Sequence, residues 1–188
     1  MPERLVILHG YTAAPESHWF PWLSEVFSAS GIQVEIPALP DTLAPRLEPW
    51  VSAAAEVIGE VDEDLVILGH SLGCITALHA LASQADTTRL GGLIMVSGFD
   101  RALATLPELD AFTERLPDMQ NLAARTRYRS VITARDDDIV PYEASVQLAE
   151  HLGAALDILP DGGHFLDRHG HLTLPTAQRR IAEAFGLG

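Results

Sequence analysis

The sequence predicts a single α/β domain over residues 1–188, built on a mostly parallel, doubly wound sheet of about six strands with at most a small cap. Three observations predict it. Short apolar runs alternate with longer segments of helical periodicity. The runs are continuously apolar rather than alternating, which marks strands covered on both faces and hence a parallel sheet. No repeat, low-complexity tract or linker divides the chain.

Taken in order, residues 4–9 read as a buried strand ended by Gly10. Residues 15–30 carry Trp19, Trp22, Leu23, Val26 and Phe27 at helical spacing. Residues 33–36 form a short alternating strand stopped by Pro37, and residues 47–59 a helix. A third strand over 64–69 runs into a helix over 72–83, and a fourth covers 92–96. The rhythm then breaks. Residues 99–127 form one longer insert with weak helical patterning, too short for a separate domain but able to make a small cap. It resumes with a strand over 129–134, a helix over 142–152, a last strand over 155–159 and a helix over 174–185. Such regular alternation implies right-handed crossovers.

Composition narrows the partners. The chain is 47% hydrophobic and 20% charged, which suits one sizeable core. Its formal charge is −14, and all 12 basic residues are arginines. An acidic surface repels phosphate backbones and anionic headgroups, so no nucleic-acid partner and no membrane are expected. The single cysteine, Cys74, excludes an internal disulfide and a thiolate-cage metal site, and reads as a small buried hydrophobe. Met1-Pro2-Glu3-Arg4 leads into an apolar stretch too short for a signal sequence, so a cytoplasmic address is expected.

The chemistry centres on Gly69-His70-Ser71-Leu72-Gly73, which fits G-x-S-x-G between a strand and a helix. Turning so sharply strains the backbone at Ser71 and presents its hydroxyl at the strand's carboxyl end. The flanking glycines let neighbouring backbone approach without a clashing Cβ. A serine hydroxyl needs a general base, and the pattern requires an acid and then a histidine downstream. Strand 129–134 is followed by Arg135-Asp136-Asp137-Asp138-Ile139-Val140-Pro141, and strand 155–159 by Pro160-Asp161-Gly162-Gly163-His164-Phe165. The three aspartates leave the acid open among themselves; the D-x-x-V-P spacing favours Asp137. Asp161 better suits shaping the turn with its glycines.

Of the eight histidines, only His164 combines a loop after a strand, flanking glycines and the right chain order. His70 suits packing or a hydrogen bond, and His9, His79, His151, His169 and His171 suit strand-end, helix or surface roles. The helix after Ser71 would offer the backbone N–H of Leu72 to an oxyanion, and the turn after Gly10 that of Tyr11. His18, Phe99 and Phe165 are candidates for the pocket wall, alongside the Tyr11 ring. A metal site drawn from Asp136, Asp137, Asp138, His164, His169 and His171 is a rival interpretation, but no matched ligand spacing supports it.

These residues, with His9-Gly10-Tyr11-Thr12-Ala13, His18-Trp19-Phe20-Pro21-Trp22 and Val96-Ser97-Gly98-Phe99, resemble the small bacterial serine hydrolases grouped with retinoblastoma-binding protein 9, the YdeN-like group. The resemblance runs nearly end to end and implies a compact α/β-hydrolase with Ser71 as nucleophile, Asp137 as acid and His164 as base. The expected activity is hydrolysis of a small-molecule acyl substrate through an acyl-enzyme without a cofactor. The bond is an ester, with amide and thioester as alternatives. A catalytically weak binding or scaffolding protein on the same fold is the second expectation. No L-x-C-x-E motif is present, so no protein partner is carried over.

Overall fold

The computed structural model describes residues 3–85 and 87–187; Met1 and Pro2, on which part of the leader expectation falls, lie outside the described residues. Six strands form one sheet: β1 Arg4–Leu8, β2 Gln33–Glu35, β3 Leu65–His70, β4 Leu90–Val96, β5 Thr126–Ala134 and β6 Ala155–Leu159. They lie in the order β2-β1-β3-β4-β5-β6, and every pairing is parallel. The chain winds outward from β1 in one direction to β2 and in the other through β3 to β6. The winding reverses between β1 and β3, and a crevice opens at such a point beyond the strands' carboxyl ends.

Among the described residues, six helices cover the sheet: α1 Phe20–Ala29, α2 Leu47–Ile58, α3 Leu72–Ala82, α4 Met119–Ala124, α5 Tyr142–Leu152 and α6 Pro175–Phe185. Strand parity divides the core in two. Val6, Leu8, Leu65, Ile67, Leu93 and Met95 face one side with Trp50, Leu78 and Leu148 of α2, α3 and α5. Leu5, Ile7, Val66, Leu68, Ile94 and Val96 face the other with Phe20, Leu23 and Ile181 of α1 and α6. Both parities are buried, which is why the strands read as continuous apolar runs. Cys74 packs in the first of these cores, where burial pushes its thiol pKa up.

Two boundaries differ from expectation by three residues or more. The first helix starts at Phe20, not at residue 15. The Pro21 ring would clash with the Ser17 carbonyl in a longer helix, and His18 takes φ +57. The fifth strand starts at Thr126, because Leu90 and Thr126 already pair. Insert 99–127 is accordingly shorter, forming a 3-10 turn over Pro107–Phe112 and then α4. Its Phe99, Leu103, Leu109, Phe112 and Leu122 are buried in the α2/α3 core. Phe112 meets Trp50 edge-on at 5.9 Å, and its carbonyl accepts from His79 Nε2 at 2.9 Å. The insert therefore joins the core rather than closing as a lid. Among the described residues, no helix is long and apolar enough to cross a membrane.

Gly73 is where α3 passes closest to β1: a methyl there would overlap the Leu8 carbonyl oxygen and sit 2.7 Å from that of His9. Gly73→Ala is expected to cost roughly 1–3 kcal/mol or more through overpacking against rigid backbone. Urea unfolding should show a lowered midpoint, whereas Ser52→Ala on the exposed face of α2 should stay within about 0.5 kcal/mol of wild type.

Candidate active site

β3 ends at His70 and α3 begins at Leu72, so Ser71 alone makes the turn, with φ +54 and ψ −121. A left-handed backbone at a non-glycine residue is held only where the surroundings over-determine it. Here they do. The Ser71 N–H donates to the Val96 carbonyl at 2.8 Å. On one side, a Cβ at Gly10 would lie 2.9 Å from Ser71 Cβ; on the other, one at Gly69 would lie 2.7 Å from Cys74 Cα. Both glycines thus mark close approaches around the serine. As the first residue of α3, Leu72 has a backbone N–H with no acceptor within the helix.

The candidate acid and base meet. His164 Nδ1 lies 2.8 Å from Asp137 Oδ2 and 3.1 Å from Oδ1. A carboxylate only accepts, so Nδ1 carries the proton and Nε2 is left as the lone-pair nitrogen. Asp137 Oδ1 also accepts the N–H groups of Ile139 at 3.0 Å and Val140 at 2.9 Å. Burial alone would raise the Asp137 pKa, but the hydrogen bond and charge of His164 and these two N–H groups outweigh it, so the net shift is downward. Of the neighbouring aspartates, Asp136 Oδ1 accepts the Gly163 N–H at 2.8 Å and so pins the His164 loop; Asp138 is exposed.

His70 lines the same cavity as Ser71 but is almost wholly buried and tied to the His164 loop. Its Nε2 donates to the His164 carbonyl at 3.0 Å, and its ring lies 4.9 Å from that of His164. Burial and neighbouring imidazoles push its pKa well down, so the ring stays neutral. His9 is likewise structural: Nε2 accepts the Leu39 N–H, and Nδ1 faces the Gly10 carbonyl, both at 3.0 Å. His151 pairs with buried Asp100 at 2.5 Å on the flank of α5.

Ser71, His164, Gly10 and Tyr11 line one cavity of about 420 Å³ at the crevice between β1 and β3. No hydrogen bond joins Ser71 Oγ to the His164 ring among the described residues, and in unliganded sites such bonds are commonly long. Thr12, Ser17, His18, Asp167 and Arg168 supply polar wall, while Ala13, Leu106, Ile139 and Leu166 supply apolar wall. Of the four expected wall residues, Tyr11 and His18 are there and the two phenylalanines are not. Phe99 is buried against the insert's core, and Phe165 in the α1/α6 core. Phe165 takes φ +55 directly after His164, and its ring packs inward while its carbonyl accepts from Trp19 Nε1 at 3.1 Å.

Asp167, Arg168, Leu166 and Leu106 were not singled out from the sequence. The first three lie within four residues of His164, and that proximity was the available signal. Asp136, Asp138, His169 and His171 line a separate hollow of about 340 Å³, without Asp137 or His164. Among the described residues, no group of three or more metal-capable side chains is gathered.

The serine hydrolase family profile matches residues 5–183. The chain is 40% identical over 175 residues to YdeN of Bacillus subtilis, covering 93% of this chain and 92% of that protein. It is 25% identical over 187 residues to the serine hydrolase RBBP9 of Rattus norvegicus, covering 97% and 98%. The crystal structure of the B. subtilis ydeN gene product superposes with a TM-score of 0.94, at 38% identity, over 98% of this chain and 99% of that one.

The depressed Asp137 pKa makes a stability prediction. A carboxyl lowered on folding stabilises above its unfolded value of about 3.9 and loses that contribution as pH falls through the lower folded value. Wild type should therefore exceed Asp137→Asn in stability at neutral pH, and urea melts should show the gap closing below about pH 4. A gap that stays constant with pH would contradict the ionised pair.

Proposed function

Because this chain belongs to the serine hydrolase family, we propose that it hydrolyses a small ester through an acyl-enzyme on Ser71. The observation that carries this is that His164, its Nδ1 held by Asp137, lines the same cavity as the strained serine. Ser71 Oγ attacks the carbonyl carbon and passes its proton to His164 Nε2, the nitrogen left free by the Asp137 bond. The Leu72 and Tyr11 N–H groups stabilise the oxyanion, one at the start of α3 and the other on the turn after β1. His164 returns the proton to the departing alcohol; water then enters, gives a proton to His164 and attacks the acyl carbon, and His164 passes that proton to Ser71 Oγ as the acid leaves. Asp137 stays ionised throughout and steadies the imidazolium. None of these steps calls on a cofactor.

A cavity of about 420 Å³ suits a small-molecule acyl substrate, since such sites commonly run ~300–1,000 Å³. Leu106, Ile139 and Leu166 offer an apolar surface for its hydrocarbon part. Amide and thioester substrates would pass through the same intermediate, and an acyl-group panel distinguishes them.

A fluorophosphonate probe should label wild type and spare Ser71→Ala; equal labelling of both would sink the nucleophile assignment. Asp137→Asn should lower kcat by roughly 10⁴-fold by imposing the wrong tautomer on His164. Asp138→Asn should change it little. Asp136→Asn should fall between the two, because Asp136 holds the Gly163 N–H beside the base. A Michaelis–Menten series with one chromogenic ester ranks the three.

A further inference from the structure

His18 is built into the cavity wall with more care than a wall residue needs. Two hydrogen bonds clasp it to Asp167 in opposite directions. The His18 N–H donates to Asp167 Oδ2 at 3.2 Å, and the Asp167 N–H donates to His18 Nδ1 at 3.1 Å. An N–H aimed at Nδ1 requires a lone pair there, so the ring proton sits on Nε2. Asp167 Oδ2 also lies 3.4 Å from Nδ1, a placement that an imidazolium would favour. The Asp167 N–H is the closer partner of Nδ1, however, and meets it as a hydrogen bond, so this donor decides the tautomer. Burial of the ring lowers its pKa, and the combined pull of Asp167 does not reverse this.

The backbone is fixed as firmly. His18 adopts φ +57, a conformation costly for a residue with a Cβ, and the next residue is anchored by the Trp19–Phe165 hydrogen bond. The ring rests edge-on against Phe20 and His70, each at 5.5 Å. Its side chain is 11% exposed and lines the cavity, and Nε2 has no acceptor among the described residues. Clasp, strain and packing together present one neutral N–H donor in a fixed direction, beside the apolar Ala13 and Leu166.

We propose that His18 is a substrate-binding residue whose Nε2–H donates to a substrate oxygen other than the scissile carbonyl. The substrate is then an ester carrying a second oxygen acceptor, such as an ether, hydroxyl or carbonyl oxygen, in its acyl or alcohol part. This rests on the hydrolase function proposed above. An apolar ester of the same shape would displace water from Nε2–H and leave the donor unpaired, which is how a built hydrogen-bonding site rejects an isostere.

Two matched ester pairs test it: p-nitrophenyl 3-methoxypropanoate against p-nitrophenyl pentanoate, and 2-methoxyethyl butanoate against butyl butanoate, the latter followed by pH-stat. Wild type should favour the oxygen-bearing member of at least one pair by roughly tenfold or more in kcat/KM. His18→Phe should abolish that ratio and His18→Gln, which retains an N–H donor, should restore part of it. Equal rates within both pairs in wild type, or a ratio surviving in His18→Phe, would overturn the proposal. Imidazole 15N spectra of wild type give a reading independent of turnover: Nε2-protonated His18 is expected, and the Nδ1-protonated tautomer overturns it. Failure of the fluorophosphonate to label wild type rejects the hydrolase function itself; labelling without an oxygen preference rejects only the role of His18.

Discussion

A strand that must become a helix within one residue, in a crevice walled by the next strand's turn, is the constraint on which the rest of this molecule depends. Ser71 can hold its left-handed backbone only if β1, β4 and α3 press against it from three sides. That pressure explains glycine at positions 10, 69 and 73, where a single methyl would meet backbone or the serine itself. The same crowding places the turn after β1, the start of α3 and the serine hydroxyl around one point. Packing and chemistry are here the same fact.

Around that point the loops are stitched by side chains bonding to backbone rather than by regular structure. His70 holds the His164 carbonyl, Trp19 the Phe165 carbonyl, Asp136 the Gly163 N–H, and Asp167 the His18 N–H. The His70 and Trp19 stitches are buried, and each consumes a polar group that would otherwise be left costly. Their joint effect is to fix the loop after β6 against the elbow and the turn before α1. Imidazoles recur because a ring offers one donor and one acceptor in a rigid plane. Which nitrogen carries the proton follows from the partner of the other. By that rule His164 is protonated on Nδ1, whereas His18 and His70 are protonated on Nε2.

Much of this was legible in the sequence, for reasons that differ by element. Strands β1, β3 and β4 were readable because both parities are buried, and the elbow because its glycines answer to local sterics. Asp137 and His164 were readable as neighbours because each follows a strand at the same edge of the sheet, and they lie 2.8 Å apart. The start of α1 was not, since the periodicity of Trp19, Trp22 and Val26 continues smoothly across a backbone that is already non-helical at His18. Phe165 was misplaced because one left-handed residue redirects a side chain, and φ is invisible in composition. Asp167 is held at the cavity by His18, far off in the chain, and Leu106 by packing against the core, so closeness to His164 was a hint for the first alone.

The burial of Cys74 has its own consequence. The only thiol in the chain lies behind the elbow, its sulfur directed at the Val96 carbonyl and its ionisation suppressed by its surroundings. Thiolate is the form that oxidants and alkylating reagents attack, so there is almost none to attack. The protein is therefore indifferent to the thiol–disulfide balance around it. Maleimide or iodoacetamide can silence contaminating cysteine enzymes in a crude preparation while leaving the serine chemistry of this one to be read alone.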